Sequence, residues 1–154
     1  MPAMSDTEYR DFVTAGTRTA KWATTRRDGR PHVLPVWFVL EGDDLLITTG
    51  SKSVKGRAVL RDPRVGLCID DDRPPYAFVL IEGCASVSTD PDEVLRASTL
   101  NARGYVGAER PQECGRLNAG KGMLLVRIIP EKVVSENNIT GEQEQATIMS
   151  TGRR

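Results

Sequence analysis

Short runs of apolar, β-branched and aromatic residues, broken by Gly, Pro and Asp turns, make up most of this chain, and that pattern predicts strands. Thr17 to Arg26 is threonine-rich around Trp22, and Arg27-Asp28-Gly29-Arg30 follows it as a tight hairpin turn. Pro31 to Leu40 reads as the second strand. Pro31 and Pro35 cannot donate ladder hydrogen bonds, which confines that strand to an edge or a bulge. Further strands are expected over 45–49 and 64–70, then over 76–89 with a bend at Gly83, and over 122–137 with a kink at Pro130.

Helix signals are fewer. Ser5-Asp6-Thr7-Glu8 is a capping box for a helix that stops at Gly16, and Asp90 with Pro91 behind it starts another that runs to about Tyr105. A short helix over 53–60 ends ahead of Asp62-Pro63, where proline disfavours helix in the residue before it. Residues 107–120 are polar and read as a further helical piece, and 141–154 as a polar tail. Six strands in hairpin order with short flanking helices predict a mainly β (α+β) antiparallel barrel in one domain over 1–140.

The stretch from Leu45 to Ala58 passes from strand through a Gly/Ser turn into the short helix. Free N–H groups at a helix start, the Ser51 and Ser53 hydroxyls and nearby ammonium charges together suit a phosphate. It is not a Walker loop, because Arg57 stands where Lys-Ser/Thr should follow Gly56. On a helix beginning near Ser53, Lys52 and Lys55 share a face while Arg57 points nearly opposite Lys55. Lys55 with the serines is then the phosphate grip, and Arg57 joins it only if Lys55 sits in an irregular first turn. The alternative is a solvated basic helix face.

Composition narrows the function classes. With 21 basic and 21 acidic residues the chain lacks the electrostatic footprint of a nucleic-acid binder, and aromatics at 5% are too few for a base-stacking surface. No apolar run approaches the ~20 residues of a membrane span and the start has no signal-peptide pattern, so a soluble, cytoplasmic protein is expected. Cys68, Cys84 and Cys114 are widely spaced and His32 is the single histidine, which argues against disulfides and a structural metal.

His32 is more simply a structural hydrogen-bonder than a general base, and no nucleophile elbow supports hydrolysis. Cys68 and Cys84, within apolar strands, read as core thiols. Asp70-Asp71-Asp72 reads as a solvated loop or a weak divalent-ion site. Trp22, Trp37, Phe38 and Tyr76 are core or interface residues, any of which could wall a flat heterocycle.

In order along the chain stand Trp22-Ala23-Thr24-Thr25, Asp28-Gly29-Arg30-Pro31, Pro35-Val36-Trp37-Phe38, Thr48-Thr49, Lys55, Arg61-Asp62-Pro63-Arg64-Val65 and Glu82-Gly83. This series resembles the pyridoxamine 5′-phosphate oxidase-like superfamily, and within it the flavin/deazaflavin oxidoreductases that use coenzyme F420. The resemblance spans roughly residues 8–135. It implies a six-stranded antiparallel split β-barrel of the FMN-binding type, assembled as a homodimer with a cofactor at the interface. By position, His32, Pro35 and Trp37 would face the ring or its tail, with Thr48, Thr49 and Gly50 beneath the ring. Lys55, Ser53, Lys52, Arg57 and Ala58 would take the phosphate, and Tyr76 of the second copy would close the site. The richer arginine set that grips FMN in the oxidases is missing here, which favours F420 over FMN. The resemblance thus implies hydride transfer from reduced F420 to an unsaturated organic substrate. An FMN-dependent reductase or oxidase, or a non-catalytic flavin or haem carrier, is the alternative.

Overall fold

The computed structural model describes residues 3–106, 115 and 119–140. In chain order the elements are α1 (Asp6–Thr14), β1 (Ala20–Thr25), β2 (Pro31–Val36), β3 (Val39–Glu41), β4 (Asp44–Gly50), α2 (Val54–Arg61), β5 (Arg64–Asp71), β6 (Ala77–Ser88), α3 (Pro91–Tyr105) and β7 (Met123–Glu136). The strands form one antiparallel sheet in the order β2-β1-β5-β6-β7-β4-β3. The expected architecture needs correcting here: the sheet has seven strands instead of six, and hydrogen bonding does not close it into a barrel.

The extra strand arises because the predicted run Pro31 to Leu40 breaks at Trp37-Phe38. At the break the Phe38 N–H donates to the Tyr105 phenol oxygen at 3.2 Å instead of to a neighbouring strand. Pro31 and Pro35 lie on β2, which is an edge strand, so their missing donors cost no ladder bond. The other edge is β3, joined to β2 only by Trp37-Phe38. From Val36 to Val39 is three residue steps, a reach of roughly 10 Å at most. The sheet must therefore curl until its two edges nearly meet at that corner.

Inward-facing side chains of this curled sheet make the main core, which includes the fully buried Trp22, Leu45, Ile47, Ile69, Val79, Ile81, Val126 and Ile128. A smaller cluster, Leu46, Val94, Ala97 and Leu125, packs α3 against the outer face of β4 and β7. The bend expected near Gly83 is a register shift at Glu82/Gly83 opposite Lys132 and Pro130. A Cβ on Gly83 would stand 2.7 Å from the Ile129 carbonyl oxygen, so only glycine allows this approach. Cys68 and Cys84 are half-buried, not core thiols, and partial burial pushes the Cys68 thiol pKa up. Cys114 and the 141–154 tail lie outside the described residues, as does most of the helical piece expected over 107–120. Among the described residues no helix is long and apolar enough to cross a membrane.

Each helix start follows its sequence signal. Ser5 and Glu8 exchange both bonds of a capping box, and the Asp90 carboxylate accepts from the Asp92 and Glu93 N–H groups ahead of α3. A charged network then ties α3 to the β3 edge. Glu41 accepts from Arg96 and from Arg127 (2.9 Å), which also bonds Asp44 at 3.2 Å. Arg96 and Arg127 hold the Glu41 carboxyl down at about 2.

Among the described glycines, Gly56 at the start of α2 has the least room for a side chain. A Cβ on Gly56 would fall 2.1 Å from the Gly50 carbonyl oxygen, which is backbone and cannot swing aside. Gly56→Ala is therefore expected to lower stability by about 1–3 kcal/mol, despite the better helix propensity of alanine. Gly104→Ala in α3, where a Cβ meets nothing within 4 Å, should leave stability unchanged or raise it. Urea midpoints of the two variants check this contrast.

Candidate functional site

A cavity of about 300 Å³ lies where the sheet corner, the α2 start and α3 converge, lined by Thr19, Pro35, Val36, Trp37, Thr48, Lys55, Ser98, Asn101 and Met123. Its volume sits at the small end of ligand pockets, which run from about 300 to 1,000 Å³. One wall is aromatic. The Trp37 and Tyr105 rings stack with centroids 5.0 Å apart and planes 2° from parallel. Trp37 remains 39% exposed, so it presents ring surface already held in place by its partner. The Tyr105 phenol donates to the Arg18 carbonyl at 2.6 Å and accepts from the Phe38 N–H. This one side chain therefore fixes the segment before β1, the β2–β3 corner and the indole.

The basic end of the cavity is the start of α2. Ser53 is the N-cap: its hydroxyl accepts from the Gly56 N–H at 3.0 Å and donates to the Gly50 carbonyl at 2.7 Å. It also lies 3.2 Å from the Thr49 hydroxyl. That hydroxyl is spent on the helix and is poorly placed to serve a ligand. The N–H groups of Val54 and Lys55, in the first helical turn, have no acceptor within the helix. Lys55 is half-buried at the cavity, and neither it nor Lys52 nor Arg57 has a salt-bridge partner among the described residues. Unpaired cations beside orphan N–H groups suit a phosphate or carboxylate.

Of the residues singled out in the sequence, Pro35, Trp37, Thr48 and Lys55 come together around this cavity. Lys52 and Arg57 are exposed near it, whereas Thr49, Gly50 and Ser53 build the strand–helix junction. Ala58 is 1% exposed and packed into the core. His32 pairs across the ladder with the buried Thr24, so it faces the barrel interior, opposite to Pro35, and its Nδ1 is buried without a partner. Tyr76 lies just before β6 with φ 57°, away from the cavity. Within the Asp70–Asp72 run, Asp70 bonds Lys21 at 2.6 Å and Asp71 bonds Arg18 at 2.8 Å. No group of three metal-ligating side chains occurs among the described residues.

Sequence reasoning missed the whole contribution of α3. Ser98, Asn101 and Tyr105 fall on one helix face at spacings of three and four, next to the buried Val94, Ala97 and Ala102. Two polar residues within an apolar stripe were the available signal.

An open antiparallel sheet, curled so that its edges meet, with an aromatic-walled and basic-ended cavity at its seam, is a split-barrel architecture. The chain belongs to the pyridoxamine 5′-phosphate oxidase family, whose sequence profile matches residues 5–133. Among solved structures it is similar to the conserved hypothetical protein Rv2991 of Mycobacterium tuberculosis, at 27% identity and a TM-score of 0.78, covering 88% of this chain and 86% of that one. It shares its fold with an F420 reductase at 21% identity and a TM-score of 0.66, over 80% of this chain and 94% of that one. The haem storage protein HutZ of Vibrio cholerae shares it too, at 18% identity and a TM-score of 0.67, over 84% and 94%. No functionally curated protein matches the chain significantly.

Tyr105→Phe is expected to destabilise the protein by about 1–3 kcal/mol, because it strands the Phe38 N–H and the Arg18 carbonyl. Chemical denaturation followed by tryptophan fluorescence measures it. An unchanged midpoint would remove Tyr105 as the pin of the corner.

Proposed function

We propose that this protein is an oxidoreductase that uses the reduced deazaflavin coenzyme F420 to pass a hydride to an unsaturated organic substrate. The observation that carries this reading is the pairing of the half-open Trp37 face with unpaired Lys55 and the α2 start in one cavity. A ligand with a flat heterocycle and a phosphate has a place for each part. When bound, the coenzyme supplies a hydride donor at C5. The chain's own work is to stack the ring on Trp37, hold the phosphate with Lys55 and the Val54 and Lys55 N–H groups, and keep water from the ring with Pro35, Val36 and Met123. FMN offers the same ring outline and a phosphate, so an FMN-dependent enzyme is the second reading. A haem carrier fits less well, since an axial imidazole could come only from His32, which points into the barrel.

The same reading includes a homodimer. A cross-strand row runs Pro35, Lys21, Cys68, Leu80, Val134 on the outer face from the cavity edge to β7. Its far end carries the exposed apolar pair Leu80 and Val134. A second copy on that face would bury this pair and bring its Tyr76 to the open side of the cavity.

Fluorescence quenching with F420 and FMN added separately tests the cofactor. Lys55→Ala is expected to weaken F420 binding about tenfold or more, since charge-assisted bonds to phosphate are worth roughly 1.5–3 kcal/mol. Preferential FMN binding would replace F420, and binding of neither would end the reading. Tyr76→Gly separates fold from site. Relief of a positive φ at a bulky residue should keep or raise the thermal midpoint, while loss of the ring weakens cofactor binding. Unchanged affinity in that variant would exclude Tyr76 from the site.

A further inference from the structure

Asn101 is 4% exposed on α3, lines the cavity, and is only half employed. Its Nδ2 donates to the Ala97 carbonyl at 3.1 Å and the Leu46 carbonyl at 3.3 Å, tying the helix to β4. Those two bonds fix which way the amide lies. Its Oδ1 is buried with no partner. The tie to the two backbone carbonyls uses only the Nδ2 donors, so the Oδ1 acceptor has no part in it. A buried acceptor left unpaired is costly, so its position at a cavity that also holds an exposed ring face and a free cation indicates a missing donor.

From this arrangement we infer that Asn101 is a specificity-determining residue, whose Oδ1 accepts a hydrogen bond from a ring N–H at the edge of the heterocycle stacked on Trp37. The inference rests on the flavin-type reading above and adds the edge chemistry the site selects. Because Nδ2 is already spent, Asn101 offers an acceptor and no donor. It selects rings with an imide-type N–H over rings whose edge presents only acceptors or alkyl groups. A metallated porphyrin has no ring N–H left to give, so the same residue discriminates against haem. The two carbonyls that flank an imide N–H would need other donors, and Thr48 lines the same cavity.

Riboflavin and 3-methylriboflavin provide the test, because neither carries a phosphate and they differ only at the imide nitrogen. Binding is followed by quenching of flavin fluorescence on wild-type protein and on Asn101→Ala. Wild type is expected to bind riboflavin roughly 3- to 10-fold more tightly than the methylated ring, the range of one neutral hydrogen bond. In Asn101→Ala that preference should vanish. Equal affinities in wild type, or a preference that survives in Asn101→Ala, would overturn the assignment and leave the flavin-type reading standing. Absence of binding by these rings and by FMN and F420 alike would overturn both, and if only phosphorylated rings bind, FMN and 3-methyl-FMN make the same comparison. Should Asn101→Ala fail to fold, a ¹H–¹⁵N spectrum of [3-¹⁵N]riboflavin on wild type decides. A ring N–H protected from exchange is expected, and one that exchanges as in free riboflavin would refute the assignment.

Discussion

The seating of α2 on the Gly50 carbonyl is the constraint from which the rest of the site follows. Gly56 leaves no space for even one methyl group there, and the Ser53 hydroxyl bridges the same carbonyl to the Gly56 N–H. Together they set the angle at which the helix leaves β4. That angle decides where the orphan N–H groups of the first turn point and where Lys55 emerges. A helix displaced by the width of a methyl group would still be a helix, but Lys55 would no longer border the cavity that Thr48 and Pro35 define.

The second fixed point is the corner between β2 and β3. The two edges of the open sheet are neighbours in the chain, and α3 reaches across them through Tyr105 and through the Arg96–Glu41 pair. An open sheet held at one seam differs from a closed barrel in a way that matters for binding. The seam leaves one face of the Trp37 ring accessible while the other is covered, a platform that costs little entropy to use.

Much of this was legible in the sequence because its signals are local. Asp28-Gly29 as a turn, Asp90-Pro91 as a helix start, prolines that confine β2 to an edge and Gly83 as a bend each need only a few neighbouring residues to be read. The ordered motif series made the family legible, and Lys55 beside a Gly/Ser turn pointed to the basic end of the cavity. What escaped depends on contacts across long stretches of chain. The break at Trp37-Phe38 exists because Tyr105, 67 residues on, takes the Phe38 N–H. Ser53 reads as a ligand donor in the sequence, but in the fold its hydroxyl is consumed by capping. His32 sits on the interior side of a strand whose other side borders the cavity, and a one-residue difference in position reverses which face a side chain takes.

The order of the strands also has a consequence for how the protein comes into being. The last described strand in the chain, β7, lies inside the sheet between β6 and β4. While the polypeptide is being synthesised, β4 has only the three-residue β3 to pair with, and Leu45, Leu46 and Ile47 have no sheet to enter until β7 has left the ribosome. The α2 start hangs from that waiting strand. The cavity is therefore completed late in the life of each molecule, and the interval before it is when the chain exposes its longest unpaired strand edge.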